Sequence, residues 1–135
     1  MPIITVQLGA KPDPQLTRSV AEKLTALTSK LLRKDPSVTS IAVQYIDRGE
    51  WFIGGEPVQR RFGNTFFVDT RISDGTNTKA EKAEYIRAVF EALSEIVGDV
   101  EPASYVHADD LRADGFGFAG VTQEYRLNAP RAVLA

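Results

Sequence analysis

The chain contains no cysteine, which excludes disulfide scaffolds, thiolate metal sites and cysteine nucleophiles. It contains one histidine, too few for a His-rich metal centre or an H-E-x-x-H motif. Sixteen Lys and Arg stand against eighteen Asp and Glu, a net charge of -2. The basic excess that phosphate-backbone binding needs is missing, so nucleic acid is not an expected partner. No window approaches the ~18 consecutive apolar residues of a membrane span. The start, Met1-Pro2-Ile3-Ile4-Thr5-Val6, has neither the basic n-region nor the apolar h-region of a secretory signal. The expectation is a soluble, cytoplasmic protein with no membrane partner. Gly-rich phosphate loops ahead of a helix and G-x-S-x-G elbows are also missing.

What is there is 135 residues, 43% hydrophobic and 25% charged, the composition of one domain able to form a core without staples. Ile3 to Leu8 is rich in β-branched residues and stops at Gly9-Ala10-Lys11-Pro12-Asp13-Pro14, which predicts a strand and then a loop. Asp13 stands where a helix N-cap is wanted, and Pro14 occupies the first helical position, where its missing N–H costs nothing. Leu16, Val20, Leu24, Leu27 and Leu31 recur at steps of three and four, an amphipathic helix that ends near Arg33, before Pro36. Ser40 to Ile46 predicts a second strand and completes a βαβ unit with a right-handed crossover.

The same grammar returns. Thr65 to Ile72 predicts a strand, and Thr78-Lys79-Ala80-Glu81 matches a capping box. A stripe of Ala83, Ile86, Val89, Phe90, Leu93 and Val97 ends at Gly98, before a strand from Ser104 to Ala108. Each unit is followed by an aromatic-glycine segment, Trp51-Phe52-Ile53-Gly54-Gly55-Glu56 and Phe116-Gly117-Phe118-Ala119-Gly120. Trp51 matches Phe116 and Gly55 matches Gly120 at the same shift of 65 residues, the mark of an internal duplication. The units span about 2–56 and 64–121, with an arm over 122–135. Together they predict an α+β fold, a four-stranded mixed sheet with two helices on one face. Apolar residues at both strand parities, Ile3 beside Ile4 and Phe66 beside Phe67, predict that other subunits of a symmetric homo-oligomer cover the second face.

The paired carboxylates Asp109-Asp110 read as a solvated turn at a strand end. The notable feature is Pro2: removal of the initiator methionine would leave a secondary amine at the start of a strand. An α-amino group titrates near ~7.7–8.0, and burial among apolar groups or a nearby cation lowers that value. Such an amine suits proton transfer at a carbon next to a carbonyl.

Pro2-Ile3, the two βαβ units, the Trp51–Glu56 segment and the ending Gly117–Glu124 together resemble the tautomerase superfamily. The first half is similar to 4-oxalocrotonate tautomerase, and the fused length to the macrophage migration inhibitory factor arrangement. The resemblance implies a homotrimer with sites between subunits, a cofactor-independent tautomerase (an isomerase) acting on a small-molecule carbonyl or enol, and Pro2 as the catalytic base and acid. By position it implies that Lys11 grips a substrate carboxylate as a point charge without an arginine's fork, while a second arginine of that family is replaced by Ala42. It implies that Trp51 supplies an apolar wall, that Tyr105 and His107 lie beside the proline, His107 donating to a developing enolate, and that Arg71 is a further cation. The superfamily also holds dehalogenases and a decarboxylase with paired arginines after the third strand; the loop here, Ile72-Ser73-Asp74-Gly75-Thr76-Asn77, has none, which leaves those activities as the enzymatic runner-up. A trimeric ligand-binding protein without turnover is the non-enzymatic alternative.

Overall fold

A computed structural model of the chain describes residues 2–61 and 63–128. Strand β1 (Ile3–Gly9) leads to helix α1 (Pro14–Leu32), a 3-10 turn over Pro36–Val38 and strand β2 (Ser40–Tyr45). Two short strands, β3 (Phe52–Ile53) and β4 (Glu56–Pro57), form a hairpin and run into a 3-10 turn, Val58–Arg60. Strand β5 (Thr65–Ser73), helix α2 (Lys79–Val97) and strand β6 (Tyr105–Leu111) follow, then a second hairpin, β7 (Gly117–Phe118) and β8 (Val121–Thr122), and helix α3 (Gln123–Asn128).

The local signals act as the sequence predicts. The Asp13 carboxylate accepts the Gln15 N–H at 2.9 Å with Pro14 opening α1, which satisfies one of the donors a helix start leaves orphaned. Thr78 and Glu81 close a reciprocal capping box on α2. Arg33 caps α1 in the left-handed region at φ 58, and Gly98 ends α2 at φ 78. No helix among the described residues is long and apolar enough to cross a membrane.

The four long strands form one mixed sheet in the order β2-β1-β5-β6, with β1 parallel to β2, β5 parallel to β6, and the central pair β1 and β5 antiparallel. Val6 stands opposite Val68 at the middle of that pair. The two βαβ units therefore point in opposite directions. Pro2, Ser40, Ser73 and Leu111 share one end of the sheet, and Gly9, Tyr45, Thr65 and Tyr105 the other.

Both long helices pack on one face, where Ile4, Val6, Leu8, Phe66, Val68 and Ile72 meet Val20, Leu24, Leu32, Val89 and Leu93, all out of solvent's reach. The α2 stripe differs from its sequence reading. Ala83 and Ile86 face outward, and Tyr85 is fully buried instead. Its hydroxyl lies 3.0 Å from Thr28 Oγ1 and 3.0 Å from Thr70 Oγ1, so it joins α1, α2 and β5 through a buried polar node.

The second face is mixed. Strand β1 alternates buried and open positions, and the open ones across the sheet include Thr5, Gln7, Gln44, Asp69, Arg71, His107 and Asp109 beside the apolar Ile3, Ala42, Phe67 and Tyr105. Asp109 and Asp110 lie inside β6, paired with Arg71 and Ile72, rather than in a turn; the alternation sends Asp110 to the helix side, where Lys82 pairs with it.

The shift of 65 is structural as well as textual. The two long helices start at Pro14 and Lys79 and have 19 residues each. Val58 N donates to Trp51 O at 2.8 Å, and Gln123 N donates to Phe116 O at 2.7 Å. Gly54 and Ala119 both adopt the left-handed region, at φ 61 and φ 54, a conformation that glycine accepts more readily than alanine. The expected terminal arm begins as α3; its residues 129–135 lie outside the described residues.

Tyr85→Phe leaves two buried threonine hydroxyls one partner short, and should cost about 1–3 kcal/mol in urea unfolding. Burial pushes the Tyr85 phenol above its ordinary value, so its stabilising effect is complete below about pH 10 and is lost as pH rises through the folded-state value. The variant should lose that part of the alkaline destabilisation, and an unchanged alkaline limb would show that Tyr85 does not titrate on unfolding.

Candidate functional site

Pro2 is buried at the entry to central strand β1, its carbonyl accepting the Ser40 N–H at 3.2 Å. It opens onto a small cavity of about 150 Å³ lined by Ile3, Val38, Ser40, Phe116 and Phe118. The wall is apolar apart from Ser40. The second unit builds it, because β6 ends at the Pro2 end of the sheet and delivers the β7–β8 hairpin there.

The other expected site residues are spread over the sheet. Trp51, the counterpart of Phe116, stands at the far end of β1: a Cβ on Gly9 would lie 3.0 Å from its Cε3 atom. Lys11 is at that end too, in a wider cleft of about 530 Å³ with Tyr45, Asp47, Arg48 and Gln59. Nine residues at ~3.3 Å each separate Lys11 from Pro2 along the chain, roughly 30 Å. A single chain does not bring Lys11 or Trp51 to Pro2; a second chain would have to supply them.

Tyr105 and His107 lie on the polar face, away from the Pro2 cavity. Tyr105 is 66% exposed and pairs with Phe67 towards the Gly9 end. His107 sits in mid-sheet, its Nδ1 3.4 Å from Asp69 Oδ1. Arg71 shares that face, opposite Ile3 at the Pro2 end, with Nε 3.3 Å from Asp69 Oδ2. Asp69 thus lies between Arg71 and His107, its Oδ1 buried with no hydrogen-bond partner among the described residues. Of the five companions expected for Pro2, Arg71 alone shares its end of the sheet within one chain.

Four other cations near this end are also engaged. Arg33 pairs with Glu81, Lys82 with Asp110, and Arg112 with Asp114 at 3.0 Å. Lys34 Nζ donates to Thr76 Oγ1 at 2.8 Å, and burial, with Arg33 beside it, holds its amine below the usual lysine range. No group of three or more His, Asp or Glu able to hold a metal ion occurs among the described residues. The residues that sequence reasoning missed are Phe116 and Phe118. Their signal was available in the 65-residue shift, but it needed the antiparallel arrangement of the units to assign them to Pro2.

No protein-family model matches the chain, and no curated protein sequence matches it. Solved structures do. A fused 4-OT described as a symmetric trimer superposes with a TM-score of 0.77 at 17% identity, over 90% of this chain and 96% of that one. A protein inactivated by 2-oxo-3-pentynoate gives a TM-score of 0.81 at 12% identity, over 94% and 99%. A macrophage migration inhibitory factor homologue from Prochlorococcus marinus gives 0.72 at 18% identity, over 89% and 97%. The chain has the fused double-βαβ fold of these solved structures.

Gly9 bears on the role of Trp51. A Cβ there would lie 2.7 Å from Thr65 Cγ2 as well as 3.0 Å from the Trp51 ring. Gly9→Ala should destabilise the chain by about 1–3 kcal/mol through overpacking. Adding Thr65→Ser, which removes the clashing methyl and keeps the hydroxyl, should recover part of that loss in thermal unfolding; no recovery would place the strain elsewhere.

Proposed function

We propose that the chain is a cofactor-independent keto–enol tautomerase acting on a small 2-oxo acid or its enol, with the Pro2 amine moving the proton. One observation carries this reading: Pro2 lies buried at the mouth of an apolar cavity at the start of the central strand. Removal of Met1 turns its nitrogen into a secondary amine. The aromatic wall of Phe116 and Phe118 disfavours the charged ammonium, which keeps a larger neutral fraction near neutral pH. The amine then takes a proton from the carbon next to the carbonyl and returns it to the oxygen, or runs the exchange in reverse, and no electrons leave the substrate. Arg71, at the same end, adds positive potential near the developing enolate, reduced by its contact with Asp69. Dehalogenation or decarboxylation by paired arginines finds Arg71 alone on β5.

A homotrimer belongs to the same proposal, supported by the trimeric fused 4-OT of the same fold. There Lys11, Trp51, Tyr105 and His107 act at Pro2 only if a neighbouring chain presents them. The experiment starts with the intact mass of purified protein, which reports whether Met1 is gone. Processed protein should ketonise phenylenolpyruvate, and Pro2→Ala should lower kcat/KM by about 100-fold or more. Inert processed protein, or a Pro2→Ala variant with the parental rate, would sink the proposal.

A further inference from the structure

We infer that Arg126, assisted by Gln123, is a carboxylate-binding residue beside the Pro2 cavity, behind its Phe116–Phe118 wall; the inference rests on the tautomerase reading and names the substrate's charged group. Its basis is a comparison of the two copies of the repeat. In the first copy Arg61 lies over the β3–β4 hairpin, its Nη1 3.9 Å from where a Cβ on Gly54 would be, and Glu101 holds it at 3.3 Å. The shift of 65 turns Arg61 into Arg126. Arg126 repeats the placement over the second hairpin, its guanidinium carbon 4.6 Å from the centre of the Phe118 ring. That ring lines the Pro2 cavity.

The carboxylate is what the second copy lacks. The position related to Glu101 by the same shift is Pro36, in the 3-10 turn whose last residue, Val38, also lines the cavity. The neighbouring Asp35 is taken up by Ser37, accepting from its N–H at 2.9 Å and its hydroxyl at 2.7 Å. Among the described residues no carboxylate lies within ion-pair reach of Arg126, whereas Arg33, Arg71, Lys82 and Arg112 are each matched.

A second difference points the same way. Val58, fully buried in the first copy, becomes Gln123 in the second. Gln123 is 6% exposed, its main-chain N–H bonds Phe116 O at 2.7 Å, and its side-chain Nε2 is buried with no hydrogen-bond partner. A buried donor without a partner is costly in a folded chain and calls for an explanation. The Arg126 guanidinium and the buried Gln123 Nε2 thus place N–H donors without an ion-pair or hydrogen-bond partner, among the described residues, by the Phe116–Phe118 wall. The ligand that completes them is an anion with acceptor oxygens, and a guanidinium matches a carboxylate with two parallel hydrogen bonds. A 2-oxo acid whose carboxylate takes the place that Glu101 fills in the other copy would be held with its reacting carbon towards Pro2.

The test compares wild-type protein, Arg126→Gln and Arg126→Lys on phenylpyruvate and on its uncharged analogue phenylacetaldehyde, alongside calorimetric binding of 3-phenylpropionate. Arg126→Gln should raise KM for the acid and the Kd of phenylpropionate by about 10- to 100-fold, raise KM for phenylacetaldehyde far less, and be partly rescued by Arg126→Lys. Turnover that depends on Pro2 with no change in acid KM on Arg126→Gln would overturn the inference and leave the proposed function standing. Binding of phenylpropionate that depends on Arg126 without turnover would uphold the anion site and remove the tautomerase reading. Neither binding nor turnover would overturn both.

Discussion

The antiparallel pairing of β1 with β5, centred on Val6 and Val68, is the constraint on which the rest of the molecule depends. These strands place Ile4, Val6, Leu8, Phe66, Val68 and Ile72 in the core, and large-to-small changes at such sites cost several kcal/mol. A slip of one residue in β5 would turn Asp69 and Arg71 into that core and Val68 out of it, which makes the register steep as well as stable. Because two similar units meet head to tail, each unit's hairpin lands where the other unit's first strand begins. The wall around Pro2 is therefore a product of the second unit, delivered by the direction of β6.

Much of this was legible in the sequence because it is written locally. Asp13-Pro14 and Thr78 with Glu81 mark helix starts through hydrogen bonds made within three residues, and the shift of 65 survives in both helices and both hairpins. What was illegible is long-range. Strand patterns have a period of two but no direction, so nothing in Ile3–Leu8 or Thr65–Ile72 says whether the units run together or opposed. That missing sign is why Trp51 reads as the neighbour of Pro2 when, within one chain, Phe116 is. Tyr85 was hidden for a related reason: its hydroxyl is satisfied only by Thr28, 57 positions away, and Thr70, 15 positions away, so the sequence shows a polar tip without the partners that permit its burial. Asp109-Asp110 misread as a turn because Lys82, which accounts for the inward carboxylate, lies on another element.

The two ends of the sheet show what duplication makes available. At the Gly9 end, beside the Lys11 cleft, the matching groups of the repeat are taken up: Trp51 packs on Gly9, Val58 is fully buried, and Glu101 holds Arg61. The Arg61–Glu101 pair is part-exposed, so its contribution to stability is modest; its effect is to consume the guanidinium. At the Pro2 end, among the described residues, the Arg126 guanidinium has no carboxylate within ion-pair reach and the buried Gln123 Nε2 has no hydrogen-bond partner. The difference follows the chemistry of the backbone. Strand β5 starts in mid-chain, where the nitrogen of Thr65 is an amide with no basic lone pair, while β1 starts beside Pro2, whose nitrogen the proposed function takes to be freed by removal of Met1. In the proposed function an unpaired cation serves a base that acts on anions, and it would have no such use beside the amide of Thr65; the second unit would then supply the groups around a nitrogen that the first unit carries.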